Sequence, residues 1–276
     1  MEHAAKDKII IALDVDSLER ARDLVALLHS SAGAFKIGKQ LFTRYGPQAI
    51  AMVHDAGGAV FLDLKFHDIP NTVARASAEV VRHGVQMFNM HAMGGFEMMQ
   101  QTVAAVRKMA ENLGVRRPLV LAVTVLTSLA ESDLAAVGIT AGIPEQVVRL
   151  AQLAKSAGVD GVVASPQEIE MIKTACGTEI LVVTPGVRPK FSGADDQKRV
   201  LSPGEAIGKG ADYIVVGRPI IEAPDPLAAV QEIINDIRQE TTDSKIKNVC
   251  GLSSVLCILA SFLCLPSTAS ILFLKP

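Results

Sequence analysis

The chain has 276 residues, with 27 lysines and arginines against 29 aspartates and glutamates, and a formal net charge of −2. That length suits one large α/β barrel or two small domains. The balanced charge, the lack of tryptophan and an aromatic fraction of only 4% exclude the basic, aromatic-rich surface that is typical of nucleic-acid binding. We therefore expect no nucleic-acid partner.

Short apolar runs alternate with amphipathic segments along most of the chain. The predicted strands are Ile9–Leu13, Ala34–Ile37, Ala59–Leu64, Met87–His91, Leu119–Leu126, Gly161–Ala164, Ile180–Thr184 and Tyr213–Val216. The predicted helices include one capped by Ser17 and the segments 71–83, 96–112, 144–157, 166–175, 203–209 and 226–238. Continuous apolar strands between helices indicate a parallel sheet that is covered on both faces.

The number of these units predicts the fold. Repeated strand–helix units over residues 1–240 predict a TIM (β/α)₈ barrel, for which ~250 residues are typical. A doubly wound open sheet is the alternative fold, although no G-x-G-x-x-G follows the first strand. Residues 1–240 are therefore expected to form one catalytic barrel domain.

The most informative stretch lies at the end of the third predicted strand, where Asp63, Lys65 and Asp68 follow an apolar run. Residues two apart in a strand point to the same face, so Asp63 and Lys65 are expected to lie together. Charges in such apolar surroundings are costly unless they are paired. The pattern predicts a lysine proton donor beside a fixed carboxylate. A purely structural ion pair, with Asp68 as a helix N-cap, is the alternative.

Polar side chains also follow other predicted strands. They are Asp14, Lys36, His91, Thr127 with Ser128, Arg188, and Gly217 with Arg218, which belong to strands 1, 2, 4, 5, 7 and 8 in that order. In a TIM barrel the active site lies at the C-terminal ends of the strands, and the loops after strands 7 and 8 commonly bind phosphate. We therefore expect an anion site there, with a surface arginine at a helix start as the less favoured alternative for Arg218. No metal site is predicted, because the histidines lack ligand spacing.

The cysteines and the two termini of the sequence bear on where in the cell the protein is located. Cys176 is the only cysteine before residue 241, and no signal peptide is expected, which together favour a cytoplasmic protein without disulfides. Residues 241–276 form a separate tail that carries no charge from Val249 to Leu274, a run long enough to span a bilayer. A membrane segment, an altered reading frame and an artefact are the alternatives, and an altered frame is favoured. Membrane association is expected only if the tail is genuine.

Taken together, these motifs resemble the orotidine 5′-phosphate decarboxylase family over roughly residues 8–236. The most specific motif is Asp63-x-Lys65-x-x-Asp68-Ile69-Pro70-Asn71-Thr72. Five further motifs appear in the family's order, namely Ala12–Asp14, Phe35–Gly38, Leu126–Ser128, Thr184–Arg188 and Val216–Pro219. The resemblance implies a homodimer with shared active sites that decarboxylates orotidine 5′-phosphate to uridine 5′-phosphate without a metal or organic cofactor.

The resemblance also implies roles for the matching residues. Lys36, Asp63 and Lys65 form a charged array with Asp68 of the partner subunit, and Lys65 protonates C6 as the carboxylate leaves. Asp14 and Lys36 hold ribose hydroxyls, and Thr72 is a ribose contact from the partner subunit. Thr127 and Ser128 contact the pyrimidine. The phosphate is bound by Arg188, Gln197, Gly217 and Arg218.

Two other functions remain open from the sequence. A metal-dependent sugar-phosphate lyase on a related barrel, such as a keto-gulonate-phosphate decarboxylase or a hexulose-phosphate synthase, shares the Asp-x-Lys and Gly-Arg motifs. Such enzymes need an acidic metal ligand near the end of strand 2, where this chain has Lys36, and a cation disfavours Mg²⁺. The second alternative function is a non-catalytic nucleotide-binding barrel that the tail tethers to a membrane. A protein that only binds nucleotides has little need of a charged array that is so costly to assemble.

Overall fold

The computed structural model describes residues 4–189 and 201–242. Eight parallel strands form a closed barrel in chain order. They are β1 (Ile9–Ala12), β2 (Ala34–Gly38), β3 (Val60–Phe66), β4 (Met87–His91), β5 (Leu119–Val123), β6 (Gly161–Val163), β7 (Leu181–Pro185) and β8 (Tyr213–Val216). Because β8 pairs with β1 in register Ile9↔Ile214, the TIM barrel is confirmed and the alternative open sheet is wrong.

Helices surround this barrel. They are α1 (Leu18–Leu28), α2 (Lys39–Tyr45), α3 (Gln48–Asp55), α4 (Pro70–Arg82), α5 (Gly95–Leu113), α6 (Glu131–Ala136), α7 (Ile143–Ser156), α8 (Ile169–Cys176), α9 (Pro203–Gly208), α10 (Arg218–Ile221) and α11 (residues 226–242). The Ser17 cap is confirmed, since its side chain accepts a hydrogen bond from the Arg20 N–H at 3.1 Å. The sequence did not predict α2, α3, α6 and α10, each of which has eight residues or fewer.

Alternate residues along the strands pack into two separate hydrophobic cores. One core lies between the strands and the helices, and the other fills the inside of the barrel. The inner core consists of Ile10, Ala12, Ala34, Phe61, Met87, Leu121, Val183, Tyr213 and Val215. Since strand side chains repeat with period two, the residues two positions after these point the same way, toward the C-terminal mouth of the barrel. Asp14, Lys36 and Asp63 occupy such positions.

The pairing of β3 with β4 is irregular. Leu62 pairs with Phe88 and Phe66 pairs with Met90, so a step of four residues on β3 faces a step of two on β4. Such a bulge redirects side chains and disrupts the local ladder of hydrogen bonds. The extra length of β3 contains Asp63 and Lys65, the two residues that the sequence placed on one face of a regular strand.

Asp68 does not cap the following helix. The N-cap of α4 is Ile69, which makes no side-chain capping bond, and Asp68 instead accepts a hydrogen bond from the Ile69 N–H at 2.7 Å. The alternative in which Asp68 is the N-cap is therefore wrong. Pro70 occupies the first turn of α4, where its missing N–H costs nothing.

The predicted tail lies outside the described residues from residue 243 onward. Over residues 4–189 and 201–242, no helix has the length and apolar character needed to cross a membrane.

Candidate active site

Four charged side chains form a continuous array across β1, β2 and β3 at the mouth of the barrel. The Lys36 ammonium lies 3.2 Å from Asp14 Oδ1 and 3.3 Å from Asp63 Oδ2. The Lys65 ammonium donates to Asp63 Oδ1 at 2.5 Å. Gly38 leaves room for this arrangement, because a Cβ there would lie 3.1 Å from Lys36 Nζ and 3.4 Å from Asp14 Oδ1. Each carboxylate oxygen of Asp63 thus has its own lysine.

Asp63 is the buried centre of this array, with 9% of its surface exposed. Burial by itself raises the pKa of Asp63, but the charges of Lys36 and Lys65, with hydrogen bonds from Lys65 and Asn89, outweigh burial and lower it. The side chain is therefore a carboxylate at neutral pH. It is a fixed negative charge held between two cations.

Lys65 has an unusual backbone conformation. Its φ angle is +54°, and it is the one non-glycine residue with positive φ among those described. This left-handed region is costly for a side chain with a Cβ, and such strain persists where surrounding structure enforces it. Here the Lys65 N–H donates to Asn89 Oδ1 at 2.8 Å, and Asn89 Nδ2 donates to Asp63 Oδ1 at 2.7 Å.

Asn89 was missed from the sequence. It is a polar residue between the apolar Phe88 and Met90 of β4. It also lies two positions after Met87, which faces the inner core, so it shares the inward parity of Lys36 and Asp63. That parity was the available signal, but it can be read only once the inner face of each strand is known.

A cavity of about 270 Å³ opens beside the array. Lys36, Asp63 and Lys65 form its charged wall, and Thr127 and Ser128 lie at its rim. The rest of the lining is mostly apolar and consists of Phe61, Val123, Val125, Leu126, Val163, Ala164, Pro185 and Val215. A flat, partly polar ring fits such a site, which has an apolar floor and a few convergent polar groups.

A second cavity of about 590 Å³ lies next to the first and shares Lys36, Pro185 and Val215 with it. Asp14 and the loops after β7 and β8 line it, and those loops contribute Arg188, Gly217 and Arg218. The two guanidinium groups are exposed, so they can bind an anion without prior desolvation. Three of the four residues predicted to bind the phosphate, Arg188, Gly217 and Arg218, therefore lie around one cavity.

Two residues of the predicted set lie away from both cavities, and a third is outside the described residues. Asp68 and Thr72 are exposed and line neither cavity. Gln197, together with most of the predicted polar loop 189–197, lies outside the described residues. Within one chain, the structure thus brings together the predicted residues of β1, β2, β3, β5, β7 and β8.

Two histidines flank the array. The rings of His67 and His91 have centroids 5.6 Å apart. Burial, followed by the charges of His67, Lys65 and Lys39, lowers the pKa of His91, which leaves its imidazole neutral at pH 7. No group of three or more histidine, cysteine or acidic residues suited to a metal ion occurs in residues 4–189 and 201–242.

Fold and site together define a class of protein, namely a (β/α)₈-barrel with a charged carboxylate–lysine array beside a cavity that two exposed arginines line. Residues 7–233 match the Orotidine 5′-phosphate decarboxylase / HUMPS family. The chain belongs to this family.

Similar proteins agree with this membership. Orotidine 5′-phosphate decarboxylase of Geotalea daltonii is 55% identical over 233 residues, which are 84% of this chain and 97% of that protein. The protein of the same name from Citrifermentans bemidjiense is 55% identical over 86% of this chain and 98% of its own length. The crystal structure of orotidine 5′-phosphate decarboxylase from Lactobacillus acidophilus has a TM-score of 0.73 and 35% identity, covering 83% of this chain and 98% of that one.

Proposed function

We propose that this protein decarboxylates orotidine 5′-phosphate to uridine 5′-phosphate, the last step of pyrimidine nucleotide synthesis. The observation that carries the proposal is the continuous array Asp14–Lys36–Asp63–Lys65, which extends across two adjoining cavities: Lys36, Asp63 and Lys65 line the first, and Asp14 and Lys36 line the second. A nucleoside monophosphate has the same order of groups: a ring, a ribose and a phosphate. The two bacterial relatives described above are named for this activity.

The reaction needs a preorganised cation more than a cofactor. When the C6–carboxylate bond breaks, CO₂ leaves and the electron pair remains on C6. The Lys65 ammonium stabilises that developing charge and then transfers a proton from Nζ to C6, which completes uridine 5′-phosphate. Solvent reprotonates Lys65. Asp63, 2.5 Å from Lys65 Nζ, aims the ammonium and lies beside the departing carboxylate.

The second cavity supplies binding energy remote from C6. Arg188, Gly217 and Arg218 hold the phosphate, with Gln197 as a further ligand, and Asp14 and Lys36 hold the ribose hydroxyls. Thr127 and Ser128, at the rim of the first cavity, bind the polar edge of the pyrimidine. Binding energy from a group that does not react can lower the barrier at the group that does, provided that it is expressed in the transition state.

The active sites are shared across a homodimer. Asp68 and Thr72 lie on the exposed segment that leads from β3 into α4, outside both cavities of their own chain. Ile69, on the same segment, is 66% exposed, which is apolar area that a second copy would cover. Asp68 of the partner subunit then completes the charged array, and Thr72 of the partner subunit contacts the ribose.

The sugar-phosphate lyase alternative is not supported. The similar proteins are named orotidine 5′-phosphate decarboxylase, and Asp63 already pairs with two lysines, which leaves it poorly suited to bind Mg²⁺. The experiment that tests the proposal follows the absorbance of orotidine 5′-phosphate with the purified chain and EDTA present. We expect loss of substrate and formation of uridine 5′-phosphate and CO₂. No reaction, or a reaction that chelation stops and Mg²⁺ restores, would overturn it.

A further inference from the structure

Asn89 is a buried amide whose two polar atoms are both engaged by the charged array. It lies in β4 and is 1% exposed. Its Oδ1 accepts the Lys65 N–H at 2.8 Å and its Nδ2 donates to Asp63 Oδ1 at 2.7 Å. One rigid side chain therefore joins the main chain of the proton donor to the carboxylate that aims it.

The irregular pairing of β3 and β4 explains why a side chain is needed there. Between Leu62↔Phe88 and Phe66↔Met90 the two strands lose register, so the regular ladder of backbone hydrogen bonds is interrupted. Lys65 lies in this interval with φ +54°, and its N–H is satisfied by the Asn89 side chain instead of by a backbone carbonyl. A buried N–H without a partner would be destabilising, so Asn89 is part of what holds this conformation.

The second hydrogen bond fixes the rotation of the Asp63 carboxylate. Because Oδ1 receives both Asn89 Nδ2 and Lys65 Nζ, Oδ2 is left for the Lys36 ammonium at 3.3 Å. A carboxylate that rotated freely could not keep both lysines aligned. The amide of Asn89 is planar and anchored on β4, so it defines that plane from a neighbouring strand.

We propose that Asn89 is a positioning residue, which holds the Lys65 backbone and the Asp63 carboxylate in the one relative geometry that aims the Lys65 ammonium at the reacting carbon. The inference rests on the proposed function and deepens it. Asn89 lines neither cavity, so it acts through Asp63 and Lys65 and not by touching the substrate.

Two substitutions separate this role from a general contribution to folding. Asn89→Leu keeps the volume and removes both hydrogen bonds. Asn89→Asp keeps the size and the acceptor for the Lys65 N–H, but it sets a second carboxylate oxygen against Asp63. We expect kcat to fall roughly 10²-fold in both, the loss that follows when a reacting group is misplaced by about 1 Å.

Substrate binding should change little, because the phosphate and pyrimidine contacts remain. We expect KM for orotidine 5′-phosphate and the dissociation constant of uridine 5′-phosphate, measured by calorimetry, to stay within about threefold of wild type. Counting sites by the stoichiometry of uridine 5′-phosphate binding gives kcat per competent site. A purely structural role would reduce the number of sites and leave that kcat unchanged.

Thr102→Val is the matched control. Thr102 is fully buried in α5 and donates a hydrogen bond to the Met98 carbonyl at 2.8 Å, away from the array. The Thr102→Val substitution removes a buried side-chain hydrogen bond, as the Asn89 substitutions do, but kcat per site should not change.

The outcomes are distinct. A wild-type chain that does not decarboxylate orotidine 5′-phosphate contradicts the proposed function itself. An active wild type with near-normal kcat per site in both Asn89 variants overturns the positioning role alone. Failure of both variants to fold also overturns it, because the amide would then be a requirement of the fold and not of the geometry of Lys65.

Discussion

The Lys36 ammonium lies 3.3 Å from Asp63 Oδ2, although the two residues belong to different strands and are not paired in register. Lys36 pairs with Phe61, two positions before Asp63, so its side chain extends along the barrel axis to reach the carboxylate. This contact joins the Asp63–Lys65 pair of β3 to the Asp14–Lys36 pair, so that two separate ion pairs become one array. The array is what separates this site from an ordinary surface salt bridge, which contributes little.

Lys65 is the residue on which catalysis most depends. We expect Lys65→Ala to lower turnover by roughly 10⁴-fold or more, because proton donation and preorganised charge each contribute about 10²-fold or more. Binding of uridine 5′-phosphate should persist. Steady-state kinetics and calorimetry measure both, and turnover within tenfold of wild type would contradict the role of Lys65.

Lys65→Gly is the matched variant for the backbone. Glycine adopts φ +54° without the clash of a Cβ, so we expect Lys65→Gly to be more stable to unfolding than Lys65→Ala by about 1 kcal/mol. Both variants lose the same ammonium, so both should be inactive. Urea denaturation checks the difference, and equal stabilities would count against strain at this position.

Asp68 provides the test of a shared site. Lys65→Ala and Asp68→Ala homodimers should each be nearly inactive, and mixing them should restore activity, because one of the two sites in each hybrid dimer then carries both residues. The measurement is turnover after subunit exchange, with exchange followed by mass-tagged chains. If exchange is complete and activity does not return, Asp68 acts in its own subunit.

Arg218 is expected to act on the phosphate alone. Arg218→Ala should lower kcat/KM for orotidine 5′-phosphate by about 10- to 150-fold, which corresponds to about 1.5–3 kcal/mol for a hydrogen bond to a charged group. With orotidine, which lacks the phosphate, the variant and wild type should be equal. Arg149→Ala is the control, since Arg149 is exposed on α7 and pairs with Glu145 at 2.9 Å. An equal loss with both substrates would place Arg218 outside the phosphate site.

The tail is expected to be dispensable for catalysis. The alignments with the two relatives include 97% and 98% of the relatives' lengths but only 84% and 86% of this chain. The family match ends at residue 233. Truncation after Thr242 should leave turnover unchanged and reduce self-association, because it removes an uncharged apolar run. Turnover and sedimentation of both chains check this. Loss of most activity would show that the tail contributes to the enzyme.

Much of the site could be read from local patterns. Polar residues lie at or near the ends of seven of the eight predicted strands, and in a barrel of parallel strands these ends share one rim. Asp14, Lys36, Asp63, Arg188 and Arg218 could therefore be grouped before any geometry was known. The spacing of Asp63 and Lys65 predicted their contact, which the structure has at 2.5 Å. The prediction assumed that residues two apart in a regular strand share a face, but Lys65 has a φ angle of +54°, which a regular strand does not contain.

The sequence by itself determined the eight strands, the end of the barrel that carries the chemistry and most of the residues around the two cavities, because those features depend on composition and spacing within short segments. Tertiary structure alone decided the closure of β8 onto β1, the irregular pairing of β3 with β4 and the two hydrogen bonds of Asn89. Each of these joins residues from different strands. The strands are apolar on both faces, so no alternation in the sequence marks which side chains point into the barrel, and Asn89 acquires its partners only when the sheet closes.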